Sequence, residues 1–315
     1  MIDFRYHLVS LIAVFLAVAL GIVIGTTQLN GPLTDNLQGQ VTALQEDKRS
    51  LEDQTQQLQT QLDDVGSFEE AVGPTLVENT LTGRSVVLVV AGADPEPDVA
   101  EGLTALLGSA GATVTGTVRL TDGYAAESTA DTLETFLSGP GVPLTVTQPE
   151  TDDPGEAVAS VLAQLLMVPA EGSARVAPTA TDTATVLAGL EELDVLSQDS
   201  TSVTPADLAV VLTTGALEGD DAETRTSALL QLAVALDEQG SGAVVAGNLA
   251  SAGDGGLVAA LRADSAARGT VSTVDNVTAA AGRISTVLAL AAEARGTSGE
   301  YGVGEDTQPV PAPVS

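Results

Sequence analysis

The residues that ordinarily carry chemistry are scarce in this chain and stand far apart. His7 is the only histidine, Lys48 the only lysine, and cysteine is absent. A Ser-His-Asp triad needs a histidine beside its serine, and a Ser-Lys dyad or Schiff base needs a lysine in the same pocket. His7 borders an apolar N-terminal segment and Lys48 sits in a heptad pattern, so neither is available to a downstream globular domain. What remains is acid. Asp152-Asp153, Glu191-Glu192 and Asp220-Asp221 are paired carboxylates, the residue type that glycoside hydrolysis requires. Such sites also use aromatic sugar platforms, and aromatic residues make up 2% of the chain. Asp220 and Asp221 fall just before a helical pattern that begins at Glu223, where acids serve as helix starts. No catalytic, cofactor-binding or metal-ligating set is therefore expected, and the acids read as caps and solvated faces.

Charge narrows the partners. Forty-three acidic against eleven basic residues give a formal charge of −32. This repels phosphate backbones and offers no basic stripe, so nucleic acid is excluded as a partner. Two glycine-rich turns follow apolar runs, Gly92-Ala93-Asp94 and the GNLASAGDGG stretch from Gly247 to Gly256. Neither matches GxGxxG or a P-loop, and no lysine stands near them for a phosphate, so tight turns explain them better than a nucleotide cradle.

The elements that would position these residues fall into four parts. Residues 1–27 carry an uncharged run, LVSLIAVFLAVALGIVI at 8–24, that covers about 26 Å as a helix and predicts a transmembrane anchor. Arg5 precedes it and the next cation is Lys48, so the positive-inside bias places the N-terminus in the cytoplasm and the bulk outside. Ala17-Val18-Ala19 resembles a cleavage site, but cutting there would leave an apolar stump exposed.

Beyond Asn30-Gly31-Pro32, where the helix is expected to break, residues 33–66 follow a heptad. Leu37, Leu44, Leu51, Leu58 and Val65 occupy d, and Val41, Lys48, Thr55 and Leu62 occupy a. Gln, Glu and Asp fill the other faces, which predicts a coiled coil roughly 50 Å long. Lys48 and Thr55 weaken the seam while selecting register, and two chains leaving one membrane would pair in parallel, so a homodimer is expected. An amphipathic helix folded back on the domain is the alternative.

Residues 83–295 alternate apolar strand and helix patterns. Strands are predicted at 85–91, 113–120, 208–213, 243–246 and 271–274, with helices at 99–107, 130–137, 156–168, 223–238, 256–266 and 277–294. The continuous apolar run at 85–91 is of the kind buried on both faces of a parallel sheet. Together these predict a single α/β domain with a doubly wound, mostly parallel sheet. The Pro, Gly, Thr and Asp-rich stretch at 138–182 reads as a long surface loop or an insertion around the helix at Glu156, and the tail 296–315 as disordered.

The opening FRYHLVSLIAVFLAVALGIVIG at 4–25, the late VSTVDN at 271–276 and the GEYG at 299–302 resemble the copper transport outer membrane protein (MctB) family of mycolic-acid-bearing actinobacteria. The resemblance implies copper efflux or tolerance at the cell envelope, with outer membrane association. It also implies kinship with envelope proteins of cell separation, which pair with a cytoplasmic-side partner and act on peptidoglycan hydrolases through a coiled coil. The residues speak against a barrel, because neither ten-residue alternating strands nor aromatic girdles are present. Copper(I) takes Cys, Met or His, and outside the anchor region only Met167 qualifies, so copper is expected to bind weakly at most.

Overall fold

A computed structural model describes residues 4–92, 95–151, 153–170, 172–199 and 202–311, without the side chains of residue 4 and residues 26–37. The chain divides into two units, Met1–Val65 and Gly66–Ser315.

The first unit is helical throughout its described length, within α1 (Phe4–Val77). Its apolar stretch Arg5–Gly25 is 21 residues long, enough to cross a bilayer. The break expected at Asn30-Gly31-Pro32 is corrected, because α1 runs through it. A proline removes one backbone hydrogen bond, at roughly 3 kcal/mol. That penalty does not end a helix sustained by long runs on either side.

The second unit is an α/β domain around a seven-stranded sheet of order β3-β2-β1-β4-β5-β6-β7. The strands are β1 (Ser85–Gly92), β2 (Thr113–Leu120), β3 (Leu196–Gln198), β4 (Leu208–Thr214), β5 (Ala243–Gly247), β6 (Ser272–Val274) and β7 (Glu300–Tyr301). Every pair is parallel except β2 with β3, so the sheet is mixed. The strand order reverses between β1 and β4, as in a doubly wound fold.

Side chains alternate across the pleat and divide the core. Val87, Val89 and Ala91 join one cluster with α3 (Ala130–Leu137), α4 (Pro154–Leu166), α5 (Ala180–Glu192), α6 (Ala222–Gln239) and α7 (Leu257–Ala263). Val86, Leu88 and Val90 join the other with the end of α1, α2 (Pro97–Ser109) and α8 (Ala280–Glu293). Period-2 alternation with apolar residues on both faces is what a sheet covered on both sides demands.

The last turns of α1 belong to this domain. Gly73 lets the helix approach α8 and α2, since a Cβ there would stand 3.1 Å from Ile284 Cδ1 and 3.3 Å from Leu106 Cδ2. Glu69 Oε2 accepts from Ala281 N at the start of α8 (3.1 Å), and Glu70 Oε1 accepts from Arg283 Nη2 (3.1 Å). A carboxylate at a helix N-terminus meets unpaired N–H groups and the positive end of the dipole.

Two regions depart from expectation. Within 138–182, the helix expected near Glu156 is present as α4 and packs into the core, with nine of its thirteen residues buried, so this part of the stretch is not a surface loop. The segment after Gly296 is ordered through residue 311: Glu300–Tyr301 forms β7, and Gly302 N and Gln308 N donate to Gln308 O and Glu300 O. Its Pro-rich composition carries no trace of the distant Arg262, whose Nη2 donates to Tyr301 O at 3.0 Å. Residues 312–315 lie outside the described residues.

Candidate functional site

Two features are candidates, the heptad face of the first unit and the cleft at the sheet's switch point. Along α1, Val41, Leu44, Leu51, Leu58, Leu62 and Val65 are each 53–70% exposed, so this face is uncovered within one chain. Leu37 also falls on the stripe, but its side chain lies outside those described. Lys48 Nζ pairs with Glu52 Oε1 at 3.2 Å along the helix. Thr55 Oγ1 donates to Leu51 O at 2.8 Å, which spares its hydroxyl a partner elsewhere.

The flanks of the stripe differ in charge from the rest of the molecule. Counting from the d leucines, the e positions are Gln38, Gln45, Glu52 and Gln59, and the g positions Gln40, Asp47, Gln54 and Gln61. Six neutral glutamines out of eight spare a strongly acidic chain the like-charge repulsion that acids would bring to these flanks.

At the carboxyl ends of β1 and β4, where doubly wound sheets place their ligand crevice, a cleft of about 1050 Å³ is lined by Gly92, Thr121, Asp122, Asp194, Glu218 and Arg225 among others. Arg225, in the first turns of α6 and 8% exposed, donates from Nη2 to Asp122 Oδ1 at 2.8 Å and lies 3.9 Å from Asp221 Oδ1. Asp221 stands at the N-cap position of α6 without a side-chain cap hydrogen bond. Its placement follows the sequence expectation; its role is pairing rather than capping. Of the first glycine-rich turn, Ala93 and Asp94 lie outside the described residues. In the second, Asn248 Oδ1 accepts from Ser251 N, closing the turn, and from Gly215 N, tying it to the loop after β4, both at 3.0 Å.

The other acid pairs serve local structure. Asp153 Oδ1 caps α4 through Gly155 N (2.8 Å) while its Oδ2 accepts from Gln231 Nε2 (3.0 Å). Asp152 lies outside the described residues. Glu191 Oε2 accepts from Gln198 Nε2 at 3.1 Å. Met167 is fully buried where α4 ends, with its methyl against Gly240. Among the described residues no group of three or more His, Cys, Asp or Glu is placed to hold a metal ion.

Sequence reading missed the pairing of Arg262. Arg262 Nη1 donates to the fully buried Asp275 (2.9 Å), and Val303 N and Gly304 N donate to the same carboxylate at 2.8 and 3.1 Å. This brings the VSTVDN and GEYG segments together, as neighbouring strands β6 and β7. The available signal was an arginine within an apolar helix pattern, a rarity in so acidic a chain.

With the opening residues 4–25, these two segments carry the resemblance to a known family, and residues 1–312 match the model described as copper transport outer membrane protein, MctB. The chain belongs to the MctB family. Curated MctB relatives include "Copper transporter MctB" of Mycobacterium bovis and of Mycobacterium tuberculosis, each 33% identical over 254 residues and 80% of both chains. The Mycobacterium leprae protein of the same name is 31% identical over 266 residues, again 80% of both.

Proposed function

We propose that this chain serves a copper-related role at the cell envelope as a non-enzymatic protein, anchored by its N-terminal helix with the α/β domain outside the cytoplasmic membrane. The observation that carries this reading is the match to the MctB family across residues 1–312. Arg5 before the apolar helix supports a cytoplasmic N-terminus. Direct ligation of copper by this chain is weak, because its soft ligand outside the anchor region, Met167, is sealed in the core.

A second reading is a coiled-coil scaffold that assembles helical envelope partners, including regulators of peptidoglycan hydrolases in cell separation, together with a cytoplasmic-side partner. The exposed Leu44, Leu51, Leu58 and Leu62 favour it. A parallel homodimer suits the glutamine flanks, and Lys48 at an a position then lies beside Asp47 of the second copy.

A deletion strain grown across a copper series, scored for survival and for cell separation in the same cultures, distinguishes the two. Copper-selective death with normal separation is the expected result. Chained cells at ordinary copper with unchanged copper tolerance would overturn the copper role in favour of the scaffold.

A further inference from the structure

Helices α6 and α8 cover opposite faces of the sheet, yet both end at the edge where β5 and β6 begin. Each ends with acid where a base is favoured. Asp237 lies in the last turns of α6 and Glu293 is the last residue of α8, and neither helix has a basic residue in its last turn. A helix C-terminus presents unpaired carbonyls and the negative end of the dipole, so two carboxylates there are wrongly signed. Ala243 N donates to Asp237 Oδ1 at 3.0 Å, and Ser272 donates to Glu293 from its backbone N, at 2.7 Å to Oε1, and from its hydroxyl.

Glu293 is held in place. It is 5% exposed, and Gly242, at φ +140°, lies so close that a Cβ on it would stand 2.5 Å from Glu293 Cβ. The charged or titratable groups around it are Asp237 on α6, which Glu238 adjoins, Tyr301 on β7, and Arg84 ahead of β1 in the same cleft of about 490 Å³; Arg295 follows two residues on in the chain. Burial above all, with Asp237 nearby, pushes Glu293 from an ordinary 4.5 to about 8. Burial likewise pushes Asp237 from 3.8 to about 6.

Ser272, which donates to Glu293, also ties down the next strand. Its Oγ accepts from Gly299 N at 3.0 Å, and Thr273 N donates to Gly299 O at 3.0 Å. β7 is two residues long and ends the sheet, so it depends on these bonds to β6 and on the contacts with Arg262 and Asp275. We propose that Glu293 and Asp237 form a proton-operated latch: the protonated pair holds β7 and the residues after it on the sheet, and loss of the proton releases them.

The sign follows from linkage. A carboxyl whose closed-state pKa is raised binds more protons closed than open, so closure weakens as pH rises from about 4.5 through about 8 for Glu293. If opening restores ordinary ionisation, closure falls up to about a hundredfold between pH 6 and pH 9.

The test is hydrogen exchange on the full-length chain in detergent, corrected for intrinsic base catalysis and followed at Thr273, Asp275 and Gly302, with β1 amides as internal reference. The expected result is protection lost at these three amides, on the order of tens-fold by pH 9, while β1 is unaffected. Glu293→Gln keeps the acceptor for Ser272 N without an ionisable group at 293, and removes the dependence above neutrality, leaving the smaller share that Asp237 contributes near pH 6. A protonated-carboxyl infrared band that titrates above neutrality in the wild type reads the same proton without any variant. Equal pH dependence in the Glu293→Gln chain, flat protection in the wild type, or absence of that band would overturn the proposal.

Discussion

At Asp275 the fold accepts the desolvation of a fully buried carboxylate and offsets it with one guanidinium and two backbone N–H groups. Removing the charge leaves Arg262 facing a neutral partner inside the protein. Asp275→Asn is therefore expected to cost about 3 kcal/mol and to free residues 300–311 first; thermal melting together with limited proteolysis at the C-terminus checks both. Arg175 is a second such residue. Its guanidinium donates to Gln164 O (2.9 Å), Met167 O (2.8 Å) and Gln239 O (3.1 Å), satisfying carbonyls near the ends of both α4 and α6, and burial pulls its pKa below the usual value. Arg175→Ala is expected to destabilise the domain by about 2 kcal/mol, seen as a lower melting temperature. Neither role was visible beforehand, because the partners lie elsewhere in the chain or on backbone atoms that carry no sequence signal.

At the scale of elements, the heptad face and the sheet behave differently under substitution. Leu44→Asp with Leu51→Asp places two charges on a stripe that is already exposed in one chain, so the fold of a single copy loses nothing. Self-association is expected to be lost by at least tenfold while the domain's melting is unchanged, as measured by light scattering and crosslinking of the full-length protein in detergent. Unaltered association would remove the parallel dimer from consideration. Most strands and helices were legible in the amino-acid pattern, since β2 and α3 fall where the Thr/Val alternation and the helical spacing put them. β3 and β7 were not, being three and two residues long. Such short strands exist because a neighbour offers an edge, and periodicity cannot register in two or three residues.

For the whole molecule, orientation is open to a direct measurement, because the chain has no cysteine. A single Ser173→Cys substitution, at an exposed position of the α/β domain, is expected to react with a membrane-impermeant maleimide on intact cells. Protection until the cells are lysed would reverse the proposed topology. By itself the sequence determined the apolar N-terminal segment, the heptad stripe, the α/β class and the family, because each is written in local periodicity or in contiguous residues. Only the tertiary structure decided that α1 runs on past Pro32, that the Pro-rich tail is pinned by Arg262 and Asp275, and that two acids on helices from opposite faces of the sheet line one cleft. Those outcomes depend on groups far apart in the chain, whose energies exist only once the fold has brought them together.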